Sequence, residues 1–276
     1  MAKQAWSPAD LSLFLNDWPF FRWGWLLMAL AMVPLFFLLP LLAIAWRAGL
    51  GFADALNDPM VTSALRLSLL TSFSSTVLGV LAGTPLAWVL ARVPFRGRPL
   101  LETLIELPIV LPPAVAGIGL LMAFGRRGLL GQWLVPFGIE LAFTPMAVIL
   151  AQLFVATPLY IRVATSAFRT VDPRWTQVAA TLGATPWRIF RQVTLPLALP
   201  SLIGGAVLTW ARALGEFGAT IMFAGNFVGS TQTMPLAIYA SLESDLNVAL
   251  ALALLLLLLT FALLILLRLL TQIDPS

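Results

Sequence analysis

The chain has 276 residues, 60% of them hydrophobic and only 10% charged, with a mean hydropathy of +0.96 and a net charge of +4. Soluble domains carry about one quarter charged residues, so this composition describes a polytopic membrane protein. There is no Cys and no His, which excludes disulfides, thiolate or imidazole metal sites, and nucleophilic or acid–base chemistry by those side chains. Lys3 is the only lysine, so a GxxxxGK[ST] phosphate loop is absent and the chain does not carry that machinery for hydrolysing ATP.

In chain order, residues 1–22 read as a cytoplasmic or interfacial extension, in which SPADLSLFLNDWPFFRW supplies a Trp/Phe belt. A helix needs about 20 apolar residues to cross a bilayer, and six stretches qualify. They are 23–46, 64–91, 103–124, 143–165, 197–222 and 246–268, which predicts an all-α permease domain over 23–276. The first apolar run is too long for a cleaved signal peptide and ends at Trp46-Arg47 without a small-residue cleavage site. The second carries Ser, Thr and Arg66, so part of it should face protein or a wet cavity. The third contains LPIVLPPAVAGIGLL. Its Pro108, Pro112 and Pro113 remove helix hydrogen bonds, which predicts a kink that either lines a cavity or only serves packing. The last span has no charge before Arg268.

Basic residues set the orientation. With the N-terminus cytoplasmic, that side holds eleven of them (Lys3, Arg22, Arg92, Arg96, Arg98, Arg162, Arg169, Arg174, Arg188, Arg191, Arg268) against Arg47, Arg126 and Arg127 outside. Both termini are therefore expected in the cytoplasm.

Between spans four and five lies VDPRWTQVAATLGATPWRIFRQVTLPLALP, a basic amphipathic stretch in an otherwise oily chain. Asp172 is an N-cap, with Pro173 at the first helical position. Trp175, Val178, Ala179 and Leu182 follow on one face, and Gly183 ends the helix. Thr185-Pro186 then opens a second helix that Leu195-Pro196 should close. Two short helices cannot bury their own faces. They either lie among lipid headgroups or dock on a partner.

The fifth span, SLIGGAVLTWARALGEFGATIMFAGN, carries Arg212 and Glu216 about 22–28 Å along a helix counted from Leu197. Four residues apart, they should share a face and pair, either fixing helix packing or flanking a path or gate together with Thr220 and Asn226. A pure pairing role predicts that exchanging the two charges is milder than removing either.

QVAATLGATPWRIFRQVTLP resembles the EAA loop of ABC-importer permeases: Glu-Ala-Ala, three residues, Gly, nine residues, Ile, any residue, Leu-Pro. Gln177-Val178-Ala179 stands in the first slot, with Gly183, Val193 and Leu195-Pro196 in the others. Gln and Val are departures that remove the ion pair a Glu would make. ALGEFGAT, AGN, TQTMPLAIY and LPIVLPPAVAGIGLL are similar to the molybdate ABC-importer permeases, over roughly residues 60–268. The resemblance implies the type I importer permease fold, a homodimer, two ABC ATPase subunits that bind ATP and Mg, and an extracytoplasmic oxyanion-binding protein. It implies a multi-pass protein of a bacterial or archaeal inner membrane carrying molybdate or tungstate, with no cofactor in this chain, no enzymatic site of its own and no nucleic-acid partner. It also implies that Gln177, Val178, Ala179, Gly183, Trp187 and Arg188 contact the ATPase. An ion-coupled secondary anion transporter is the rival, and would need an ionisable residue near mid-membrane, for which Glu216 is the candidate.

Overall fold

The computed structural model describes residues 19–49, 52 and 56–272; the expected interfacial segment up to residue 18 lies outside them. The described residues form helices and no strand. Residues 1–50 and 51–276 are separate compact units. In the first, α1 (Pro19–Ala48) spans 30 residues, with Pro34 and Pro40 inside it. Leu35, Phe36, Leu38, Leu39 and Leu42 are all exposed on it. A helix apolar on every side is stable only in apolar surroundings, which fits a membrane span.

The second unit begins with α2 (Pro59–Arg92). The Asp58 carboxylate accepts from the Met60 N–H at 2.7 Å, and Pro59 occupies the first turn, so the helix starts five residues before the apolar run. It ends where Pro94 pushes Val93 to an extended conformation. Helix α6 (Pro145–Thr170) is capped by the Thr144 hydroxyl, which accepts from the Ala147 N–H. Helix α12 (Leu246–Gln272) follows Asp245, whose carboxylate accepts from the Asn247 N–H at 2.9 Å.

Helices α2 and α6 form the most extensive pair of the core. Glycines set their separation: a Cβ at Gly79 would lie 2.6 Å from the Thr157 hydroxyl, and one at Gly83 would lie 2.9 Å from the Tyr160 ring. The hydroxyl groups of span two do face protein. Ser68 Oγ accepts from the Met234 N–H at 2.7 Å, and Ser72 Oγ accepts from Trp210 Nε1 at 3.0 Å. Met234 opens α11 (Met234–Ser244), a short helix that the apolar pattern does not announce.

Two expected spans are broken. Residues 103–124 do not form one kinked helix: α3 (Arg98–Val110) and α4 (Pro113–Phe124) meet at 113°. Consecutive prolines force the residue before each of them out of the helical region, so Leu111 (ψ 136°) and Pro112 (ψ 129°) are both extended. Pro108 sits buried within α3 and is not the hinge. Short turns at Gly131–Leu134 (α5) and Val135–Phe137 complete the connection from α4 to α6.

The second break lies in 197–222. Helix α9 (Leu195–Leu214) stops at Gly215, and α10 (Gly218–Ala224) starts after Phe217. The half-helices α4 and α10 pack on each other and on α6, burying Ala116, Leu120, Ala147, Ala151, Ala219 and Phe223. A Cβ at Gly117 would lie 2.6 Å from the Ala219 carbonyl oxygen and 2.9 Å from its Cα. Backbone cannot yield as a side chain can, so Gly117→Val is expected to overpack this contact by at least about 1–3 kcal/mol. Thermal unfolding in detergent checks it, with Gly119→Val, where a Cβ meets nothing within 4 Å, as the control.

Candidate coupling arm and charged break

The stretch after α6 folds as an arm. Helix α7 (Pro173–Thr181) starts at Asp172, whose carboxylate accepts from the Arg174 N–H at 2.8 Å. It ends on Gly183 at φ +81°, with Ala184 N–H donating to Ala179 C=O and Gly183 N–H to Ala180 C=O. This paired pattern satisfies the last carbonyls of the helix and needs a left-handed residue, which is why a glycine stands there. The chain then turns into α8 (Pro186–Ile189), where Thr185 Oγ1 accepts from the Arg188 N–H.

The arm presents its apolar side outward. Trp175, Val178, Leu182 and Trp187 are 62%, 55%, 82% and 68% exposed, with Gln177, Gly183 and Arg188 exposed beside them and Ala179 half-buried. Nothing lies within 4 Å of a Cβ at Gly183. The six expected contact residues thus share one uncovered element. Four large apolar side chains left open between Trp175 and Trp187, with Arg174 and Arg188 flanking them, form a surface that an apolar partner would cover.

The end of the arm differs from the sequence expectation. Leu195-Pro196 does not close the second helix. Instead α8 passes through a π turn at Phe190–Thr194 directly into α9, giving one rod over Pro186–Leu214. The wider turn, with Leu195 N–H reaching back to Phe190 C=O, makes room for Pro196 just after it, which would otherwise clash with the preceding turn. Phe190 roots the rod: it stacks on Trp187 (5.6 Å between centroids) and meets Trp88 edge-on at 5.6 Å. Farther along, a Cβ at Gly205 would lie 2.9 Å from Val163 Cγ1.

At the far end of the rod, Arg212 and Glu216 do pair, Nη1 to Oε2 at 3.0 Å. They do not share a helical face, because Glu216 stands in the break after α9. Its second oxygen accepts from the Ala219 N–H at 2.8 Å, so the carboxylate ties the end of α9 to the first turn of α10. Glu216 is 1% exposed in its side chain and Arg212 40%. Thr220, on α10, is fully buried with no partner for its hydroxyl, and Asn226 Oδ1, beyond α10, also lacks one. Gly225 at φ +73° separates Asn226 from α10.

A charge bridge at the base of the molecule escaped the sequence reading. Glu102 Oε1, on α3, accepts from Arg98 Nε at 3.0 Å and from Arg169 Nη2 at 2.6 Å, and Glu106 lies 3.9 Å from Arg162. The bridge fastens α3, one half of the broken span, to the end of α6, three residues before the arm begins. The i,i+4 spacing of Arg98 and Glu102 was visible; the long-range link to Arg169 had no local signal.

Comparison with known proteins agrees with this geometry. Residues 79–272 match the family described as "Binding-protein-dependent transport system inner membrane component". The "Molybdenum transport system permease protein ModB" of Mycobacterium bovis is 49% identical over 217 residues, 78% of this chain and 81% of that protein. The "Sulfate transport system permease protein CysT" of Escherichia coli is 36% identical over 219 residues, 78% of this chain and 79% of that protein. Among solved structures, a bacterial ABC transporter involved in the import of the acidic polysaccharide alginate shares the fold. It superposes with a TM-score of 0.73 at 16% identity, over 95% of this chain and 100% of that chain. With its long apolar helices, its projecting arm and these relatives, the chain belongs to the family of inner-membrane components of binding-protein-dependent transport systems.

Proposed function

We propose that this chain is the permease subunit of an ATP-driven importer of molybdate, with tungstate as the near-isosteric alternative. The observation that carries the reading is the uncovered arm. Trp175, Val178, Leu182 and Trp187 face outward on a rigid, doubly capped element that continues into the rod ending at the Arg212–Glu216 pair. Such an arm suits a seat in a separate ATPase subunit, which would hold ATP and Mg. Greater identity to the molybdenum permease than to the sulfate permease favours molybdate. In the assembly we infer, two copies of the chain line the path, two ATPase subunits bind beneath, and an extracytoplasmic oxyanion-binding protein delivers the anion. Both termini and the arm then face the cytoplasm.

The half-exposed Arg212 offers charge-assisted hydrogen bonds to a passing oxyanion, while Glu216 offsets its charge and keeps the interaction weak enough for release. The rival ion-coupled mechanism loses its candidate, because Glu216 is engaged by both Arg212 and the Ala219 N–H.

The test is co-purification with the ATPase subunit and uptake of molybdate into vesicles containing the full complex. Photocrosslinking from a benzophenone attached to a Cys in Ala179→Cys should reach the ATPase in a nucleotide-dependent way. Crosslinks to lipid alone, or uptake that persists without ATP, would reject the proposal.

A further inference from the structure

Two apolar grooves lie between α2 and the rod, one above the other along the same face of α2. Phe73, Val77 and Leu81 face Val207 and Trp210 across the upper groove, about 300 Å³ in volume. Pro85, Trp88 and Val89 face Pro186, Trp187 and Phe190 across the lower groove, about 370 Å³. The α2 positions recur every three or four residues, so they lie on one helix face. From Phe73 to Trp88 this face extends ~22 Å, longer than the ~15 Å of one leaflet's hydrocarbon.

Apart from Thr76, whose hydroxyl donates to Ser72 C=O, the lining is apolar and changes character only at the cytoplasmic end. There Trp88 and Trp187, residues suited to the headgroup level, flank the opening. An adjoining pocket of about 220 Å³ shares Trp88 and Phe190 and adds Arg92. Arg188 and Arg191, both exposed, directly follow the lining residues Trp187 and Phe190. Neither α2 nor residues 186–214 contains an Asp or Glu. The nearby acids are engaged elsewhere: Glu102 by Arg98 and Arg169, Glu106 by Arg162, and Asp172 by the Arg174 N–H.

We infer that the lower groove is a binding site for an anionic phospholipid of the cytoplasmic leaflet, with an acyl chain between α2 and the rod and the phosphate held by Arg92, Arg188 and Arg191. An apolar groove of about 370 Å³ ending in three cations with no acid among them is complementary to an amphiphile with one anionic head. A helix from a second copy would instead bring its own cytoplasmic end against those cations, and among the described residues on that side Glu102 and Glu106 are already in ion pairs and Asp172 already caps α7. The lipid would lie against Trp187 and Phe190, at the root of the arm. The site does not depend on which oxyanion is carried.

The experiment is photolabelling of the full-length chain in phosphatidylcholine vesicles doped with phosphatidylglycerol bearing a diazirine on its acyl chain. A parallel set carries the same diazirine on phosphatidylcholine. Adducts mapped by mass spectrometry should fall on residues 85–89 and 187–190 and favour phosphatidylglycerol. Arg188→Gln with Arg191→Gln, both exposed and so without effect on folding, should lower that preference roughly tenfold or more. Equal labelling by both lipids would mean ordinary boundary lipid and overturn the site. So would absence of label in the groove together with disulfide joining of two copies through Val89→Cys, which would assign the groove to a second copy.

Discussion

Arg212→Gln is expected to destabilise the protein by about 3–5 kcal/mol, against about 1–3 kcal/mol for Glu216→Gln. The asymmetry follows from burial. Removing Arg212 strands a carboxylate that is 1% exposed with only the Ala219 N–H beside it. Removing the charge at 216 leaves an arginine that is 40% exposed and can rehydrate, while the amide oxygen of Gln still accepts from Ala219. Exchanging the two charges is therefore expected to be worse than Glu216→Gln, reversing what their spacing alone predicts. An arginine at 216 has no acceptor to offer the Ala219 N–H and would be buried among donors. Melting temperatures of the three variants in detergent check the ranking. If the exchange were the mildest of the three, the carboxylate would not be tying α9 to α10.

Gly183→Trp is expected to abolish transport, by tenfold or more, while the chain remains inserted and folded. A non-glycine residue at φ +81° costs about 1–2 kcal/mol, which is modest for a helix end. The bulk itself costs nothing within the chain, because no atom lies within 4 Å of that Cβ. The damage falls on whatever covers Val178 and Leu182. The measurement is ATP-dependent molybdate uptake set beside the yield and melting temperature of the variant. Gly183→Ala separates the two contributions: it keeps the backbone strain, adds almost no volume, and should retain most uptake. Unimpaired uptake in the Trp variant would show that this surface stays open in the working complex.

The spans, the caps and the arm were legible because each rests on short-range signals. Asp172-Pro173, Thr185-Pro186 and Gly183 mark helix ends by local stereochemistry, and those ends stand where the residues place them. Hydropathy located the spans but not their continuity. It counts Gly215-Glu216-Phe217 as part of one apolar stretch, although the backbone turns there and Glu216 caps the next helix. The double proline at 112–113 announced a distortion without its size, because a kink and a 113° turn begin with the same lost hydrogen bonds. Pro196 misled in the other direction: it read as a stop, but a π turn just before it lets the helix continue. Contacts such as Arg169 with Glu102 and Trp210 with Ser72 join residues 67 and 138 positions apart, where no window of sequence looks.

The unbroken run from Pro186 to Leu214 turns the arm into a lever. Were that rod to turn as one body, Gly205, pressed against Val163, is where it would pivot. From there the inner limb measures ~28 Å and the outer limb ~14 Å, a mechanical ratio of roughly two to one. In such a turn, pushing Trp187 sideways by a few ångström would swing Arg212 the opposite way by about 0.4 times as much, and because Glu216 is also held by the Ala219 N–H of α10, the 3.0 Å ion pair would be stretched.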